Sequence, residues 1–334
     1  MLRARRPKPE RKNQEQGVRL SKEYEWPLEE ENEGAEAQEV NYTNVIDEVE
    51  EDLASYLEKE RSKPTRITKL IDYPGGDFYI FDDLNKLFSS APAKTFVEVF
   101  GGSCYSSMNV SRDKFKVIVC NDIDSDLINL YRLVKDNPAE VLKRLSILPF
   151  SREVYAIAKD ILNDPKTDPV TRAVMLFYLI RASMFGKAGK GFAVRKKQSS
   201  ARNFTNALSL IKEYAKQMRD IVFENKDYEG MLKLYDSDET LFYLDPPYVS
   251  AEETRGREEY YRNVFTIEDL KKMAQALRSI KGYFVLKLTK DNYELIKDIL
   301  PPHNHVEINR KLIFHKVKGE NRPEWTMVVA YNFP

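Results

Sequence analysis

The 334 residues suffice for one large or two ordinary domains, and Lys plus Arg balances Asp plus Glu at 53 each, so no global basic signature marks a nucleic-acid binder and any such site must be local. The two cysteines, Cys104 and Cys120, and the three histidines, His303, His305 and His315, give no set with zinc-ligand spacing, which favours metal-free chemistry in a reducing compartment. The longest apolar run, Val174 to Ile180, is far short of the roughly 20 residues of a membrane helix, and no apolar core follows the Arg-rich start, so a cytoplasmic protein with no membrane partner is expected.

In chain order, residues 1–63 stand apart as a charged N-terminal extension that is expected to be mobile: a basic start (Arg3, Arg5, Arg6, Lys8, Arg11, Lys12) runs into a Glu-dominated stretch from Glu23 to Glu39. Within it Val45, Ile46, Val49, Leu53, Tyr56 and Leu57 fall near helical spacing and predict one helix over about 44–60. From Lys94 the pattern becomes strand, glycine turn, helix, strand, which predicts a parallel sheet covered by helices. Strands are expected at Phe96 to Phe100, Val117 to Cys120, Ile221 to Glu224, Leu241 to Leu244, Tyr283 to Leu288 and Trp325 to Tyr331. Helices are expected at Asp126 to Lys135, Glu140 to Leu145, Val154 to Asn163, Pro169 to Met184, Asn206 to Arg219, Ile267 to Ser279 and Asn292 to Ile299. The nearly all-helical stretch 136–209 interrupts the sheet between its second and third strands and reads as an inserted subdomain, leaving 64–135 and 210–334 as the catalytic domain.

Asp245-Pro246-Pro247-Tyr248 ends the apolar run Leu241 to Leu244 on a carboxylate, two residues with fixed φ and a ring. This suits methylation of a planar exocyclic amine, a poor nucleophile because its lone pair is delocalised. Asp245 and the Pro246 carbonyl would each accept one N–H, Pro247 would hold the turn, and Tyr248 would stack on the base. The plainer alternative is a Pro-Pro turn after a core strand, with Asp245 capping the next segment of chain.

Gly101-Gly102-Ser103 follows the first strand, where glycines let backbone approach a ligand, and Asp122 ends the next strand about twenty residues on, the usual place for a ribose-binding acid. Asp122 or Asp124 as a helix N-cap is the structural alternative. With no P-loop lysine, a phosphate-free nucleoside such as S-adenosylmethionine fits better. Tyr73-Pro74-Gly75-Gly76-Asp77 has type II turn chemistry, and Asp227 and Tyr228, after the third strand, are candidates to hold an adenine. Lys187, Lys190, Arg195, Lys196, Lys197 and Arg202 form a basic, Gly-containing segment suited to DNA phosphates.

Together, Tyr73-Pro74-Gly75-Gly76, Phe96 to Ser103, Asn121-Asp122-Ile123-Asp124, Asp227-Tyr228 and Asp245 to Tyr248 resemble, in family order, the Dam-type (D12-class, alpha-group) DNA adenine N6-methyltransferases. The likeness runs from about Thr68 to Tyr331 and includes Arg172-Ala173-Val174, Arg181 and Asn263-Val264-Phe265-Thr266. It implies an α/β, Rossmann-like methyltransferase sheet with an inserted helical target-recognition subdomain, S-adenosylmethionine as donor, double-stranded DNA as substrate with its adenine flipped, and room for a partner restriction endonuclease. By position, Tyr73, Gly75, Gly76, Asp77 and Asp122 would contact the cofactor and Phe100, Gly101, Gly102 and Ser103 would pass beneath its methionine part. Ile123 and Tyr228 would flank its adenine, and Asp245 would face both cofactor and amine. Two departures stand out: Asp77 replaces a common family lysine, with Lys69 nearby as a substitute charge, and Cys104 replaces the last glycine of the first-strand turn. The alternatives are methylation of RNA or another planar amine, and a DNA-binding homologue with weak turnover.

Overall fold

The computed structural model describes residues 69–71, 73, 76–184, 191–193, 199–249, 265–311 and 324–334. The extension 1–63 and its expected helix lie outside the described residues, as do Gly75, Lys187, Lys190, Arg195, Lys196, Lys197, Asn263 and Val264. Thr65–Pro334 forms one compact unit. No helix among the described residues is long and apolar enough to cross a membrane.

Five strands, β1 (Thr95–Glu98), β2 (Val117–Asn121), β3 (Ile221–Glu224), β4 (Thr240–Leu244) and β5 (Tyr283–Thr289), run parallel, and β6 (Asn304–Lys311) and β7 (Glu324–Tyr331) complete a mixed seven-stranded sheet in the order β3-β2-β1-β4-β5-β7-β6. β7 is antiparallel to both β5 and β6. Central strands are covered on both faces and must be apolar throughout, which is why Leu241, Phe242, Tyr243 and Leu244 are all fully buried. β6 has no counterpart among the expected strands. It is the sheet edge, where Asn304, His305, Val306 and Glu307 are exposed, and such polar edges lack the hydrophobic signal of a core strand.

Strand alternation divides the core in two. Phe96, Ile118, Cys120, Ile221, Tyr243 and Val285 face one side; Val97, Val119, Phe242, Phe284, Leu286 and Leu288 face the other. On the first side lie α1 (Phe81–Ser90), which buries Phe81, Leu84 and Phe88, α2 (Tyr105–Asn109) and α3 (Ser125–Asp136). The same side carries the run between β2 and β3: α4 (Pro138–Ser146), α5 (Arg152–Asn163), α6 (Pro169–Ala182), α7 (Ser200–Ser209) and α8 (Ile211–Met218). The second side is covered by α9 (Tyr228–Tyr235), α10 (Ile267–Ala276) and α11 (Lys290–Ile296), through residues such as Met231, Leu270 and Ile296.

The single helix expected over Asn206 to Arg219 is two. The Ser209 hydroxyl donates to the Asn206 carbonyl at 2.8 Å and Leu210 N–H bonds back to Ala207, closing α7 one residue before α8 begins. α6 is apolar all round, with every residue from Ala173 to Ile180 buried, so it is a central helix. Its Phe177 and Tyr178 share one continuous core with Phe96 and Tyr243 of the sheet.

Arg172 fastens α6 to α3. Its Nε and Nη2 each lie 2.7 Å from an Asp126 oxygen, and it also donates to the carbonyls of Asp164 and Leu162. Asp126 is only 6 % exposed, so truncating its partner strands a carboxylate in the core. Arg172→Ala is expected to destabilise the fold by about 3 kcal/mol, read as a lower urea midpoint with an unchanged m-value.

Candidate active site

β2 leaves β1 on one side and β4 lies on the other, so the carboxyl ends of β1 and β4 form the crevice of a topological switch point. An open cleft occupies it. From the first glycine turn it takes Tyr73, Gly76 and Asp77; from β1 and its loop, Glu98, Phe100, Gly101, Gly102 and Ser103; from the end of β2, Asp122; and from the end of β4, Asp245, Pro246, Pro247 and Tyr248. Motifs spread over about 170 residues of sequence thus share one surface, because parallel strands deliver their carboxyl ends to the same side.

The glycine loop is held from below. A Cβ on Gly101 would lie 2.5 Å from Cys120 Sγ and 2.7 Å from the Asn121 carbonyl, so only glycine permits that approach. Gly102 has φ +49°; its N–H donates to Asp122 Oδ2 at 2.8 Å, and its carbonyl accepts from Tyr131 Oη at 2.5 Å. Asp122 Oδ1 accepts from Asp124 N–H, also at 2.8 Å, and burial pushes the Asp122 carboxyl up to about 6, against the pull of these N–H donors. The helix N-cap is Asp124, whose side chain accepts from Asp126 N–H, and Asp122 instead latches the loop. Cys104 at φ 49° occupies the left-handed region that favours glycine, and it is joined to Cys120 as a disulfide, a pairing the cysteine count does not suggest.

Some expected cofactor contacts lie off the cleft. Ile123 is 51 % exposed beside it, with its carbonyl accepting from Asn225 Nδ2. Asp227 caps α9 by accepting from Gly230 N–H at 2.7 Å, and the Tyr228 ring stacks on Phe100 at 6.2 Å with Phe265 edge-on to both. The cleft therefore reaches Phe100, and Tyr228 backs it.

Asp77 does not stand uncompensated. Lys69 sits over the Phe78 ring, whereas Lys287 from the centre of β5 places Nζ 2.5 Å from Asp77 Oδ1 and 2.5 Å from Asp245 Oδ2. Leu244 pairs with Leu286, so the next step along each strand sets Asp245 beside Lys287. Asp77 Oδ2 accepts from Ser106 Oγ and Tyr243 Oη, each at 2.8 Å. Tyr248 Oη donates to Asp245 Oδ1 at 3.1 Å. Asn292 clamps the end of the tetrapeptide loop, accepting from Val249 N–H at 2.9 Å and donating to the Val249 carbonyl at 2.5 Å. Lys287 and Asn292 are both missed by sequence reasoning. A lysine inside Tyr283-Phe284-Val285-Leu286-Lys287-Leu288 was the available signal, since lysine is almost never fully buried unless paired.

Burial pushes Asp245 up to about 7, with Lys287 pulling the other way and Asp77 adding to the rise. Burial likewise pushes Glu98 up to about 8, opposed by the hydrogen bond from Ser107. Burial acts to lower Lys287, but Asp245 and Asp77 outweigh it and hold the ammonium well above its ordinary value. Among the described residues, the cleft wall thus carries four acidic side chains, Asp77, Glu98, Asp122 and Asp245, and no basic one. That donor set suits a cationic, phosphate-free nucleoside and opposes a nucleotide phosphate.

Gly102→Ala would set a Cβ 2.7 Å from the Tyr73 ring at a positive φ. It is expected to cost about 1–2 kcal/mol, read as a lower midpoint of thermal unfolding.

Comparisons with known proteins converge on this architecture. A family model described as D12 class N6 adenine-specific DNA methyltransferase matches residues 73–313. Type II methyltransferase M1.LlaDCHI of Lactococcus lactis subsp. cremoris is 25 % identical over 233 residues, covering 64 % of this chain and 79 % of the relative. The DNA adenine methylases of Haemophilus influenzae and Escherichia coli K12 are 23 % and 26 % identical, covering 67 % and 61 % of this chain and 79 % and 73 % of their own lengths. With a family match that begins at the first residue of the cleft, Tyr73, and runs through the glycine loop, the tetrapeptide and the lysine strand, the chain belongs to the D12 class of N6 adenine-specific DNA methyltransferases.

Proposed function

We propose that Asp245, the Pro246 carbonyl and Tyr248 present the N6 amine of a flipped adenine to S-adenosylmethionine, the donor that family membership implies. What carries the assignment is that the acid-latched glycine loop and the tetrapeptide line one cleft. Tyr73, Gly76, Phe100 to Ser103 and Asp122 would hold the donor, whose sulfonium supplies an electrophilic methyl group; Asp77, on the same wall, acts through Lys287. Asp245 and the Pro246 carbonyl accept the two amine hydrogens and draw the nitrogen toward a tetrahedral, more nucleophilic form. Tyr248, bonded to Asp245 through its hydroxyl, fixes the plane of the base by stacking. Methylation makes the amine acidic, so its proton leaves after transfer and Asp245 need not be a strong base.

The helical run between β2 and β3 is the proposed DNA-facing element. Arg202, exposed on α7, belongs to the basic segment assigned to phosphate contact, which would orient the duplex without reading sequence. Relatives named as type II methyltransferases support a partner endonuclease.

Incubation with duplex DNA and methyl-labelled S-adenosylmethionine should place label on adenine N6, and label found only on RNA or absent altogether would sink the proposal. Asp245→Ala should lower kcat by about a hundredfold or more without unfolding the protein. The ionised carboxylate is the better acceptor, so activity should fall as pH drops through about 7 in kcat/KM. Binding of a cationic donor favours that carboxylate, so the same limb should lie at lower pH in kcat.

A further inference from the structure

Lys287 is 1 % exposed and bridges two carboxylates at equal distances of 2.5 Å, one on the cleft-lining Asp245 and one on Asp77. An ammonium buried this deeply is costly unless its charge is fully matched, and a single carboxylate would match it. The second therefore does something else. Asp77 is itself fixed by Ser106 and Tyr243 and cannot swing toward Lys287 or away from it without breaking two hydrogen bonds. The ammonium is consequently shared. Its hold on Asp245 Oδ2 fixes that side chain's rotamer, while Oδ1 carries the 3.1 Å hydrogen bond from Tyr248, at the long end for O–H···O and thus easily exchanged.

We propose that Lys287 and Asp77 are a balanced pair of positioning residues for methyl transfer: Lys287 keeps Asp245 ionised and fixes its Oδ2, and Asp77 divides the ammonium's charge so that Oδ1 keeps enough basicity to accept the adenine amine. This rests on Asp245 as amine acceptor. The titratable groups facing the trio are Asp77 from the turn Asp77–Tyr79, Glu98 from β1, Tyr243 from β4 and Tyr248 from the tetrapeptide; the tyrosines stay neutral because burial and the nearby carboxylates raise them well above their usual range. Carboxylate against lysine therefore sets the balance.

The two partners push the acid limb of the pH–rate profile in opposite directions. Lys287→Met removes the cation, and a charge partner at this distance moves a carboxyl by about one pH unit or more. Its limb should move to higher pH, with kcat/KM at pH 7 down about fivefold or more and largely recovered near pH 9. Asp77→Asn leaves Lys287 wholly to Asp245, so its limb should move to lower pH while the plateau kcat falls as the acceptor weakens. A partner with a purely structural role predicts the same fractional loss at every pH, and an unmoved limb in both variants would overturn the pairing. Should Lys287→Met fail to fold, Asp77→Asn decides alone: a limb that stays in place or moves to higher pH refutes the proposal. Asp245→Ala separates the two readings, since an active Asp245→Ala removes the acceptor assignment itself, whereas an inactive one with unmoved limbs in the other variants removes only the Lys287–Asp77 pairing.

Discussion

The ammonium of Lys287, held between Asp77 and Asp245, is the interaction on which the rest of the site depends. It joins β5 to the end of β4 and to the first glycine turn, three segments far apart in the sequence. The Asn292 clamp and the Tyr248 hydroxyl fasten the same tetrapeptide loop. The cost of burying the charge is offset by two carboxylates, and the carboxylates in turn are tied to Ser106, Tyr243 and Tyr248. A polar cluster built this way specifies one arrangement of three chain segments, which an apolar patch of similar size would not.

The glycine loop shows a parallel economy. Asp122 occupies two backbone N–H groups, so its carboxylate is set before any ligand arrives, and Tyr131 restrains the opposite side of the same glycine. Each oxygen retains a further acceptor site for a hydroxyl. Binding in such a loop orders little backbone, which favours affinity without a phosphate anchor.

Much of this was legible in the residues. Apolar runs of four to six located the central strands because both of their faces are covered, and four of the five short motifs located the cleft. Legibility ended where chemistry depends on partners distant in sequence. Asp77 read as a reversed charge because its cation lies 210 residues away on another strand. Asp227 read as a nucleoside contact, and the structure adds a role the residues left unread, an N-cap that accepts from Gly230 N–H. β6 was invisible because an exposed edge needs polar residues, and α7 and α8 merged because a hydroxyl that closes a helix leaves the hydrophobic period nearly intact.

The acidity of the cleft also constrains how a polyanion can be its substrate. DNA brings about one negative charge per 1.7 Å of duplex, and a crevice wall that carries no basic side chain among the described residues, and stays net acidic even with Lys287 matched by Asp77 and Glu98 largely protonated, offers a phosphate no partner. A base is neutral and its exocyclic amine is a donor, so the part of DNA that this wall can welcome is a nucleobase separated from its backbone. The same wall attracts the cationic donor, which lets one field bind the methyl source, exclude phosphate and turn the amine inward. The attraction that offsets extrusion of the base must then come from basic groups outside the crevice, far enough from Asp77, Glu98, Asp122 and Asp245 to meet phosphates unopposed. Separation of a basic approach from an acidic centre is therefore required by the charge of the two substrates, independent of which sequence the protein reads.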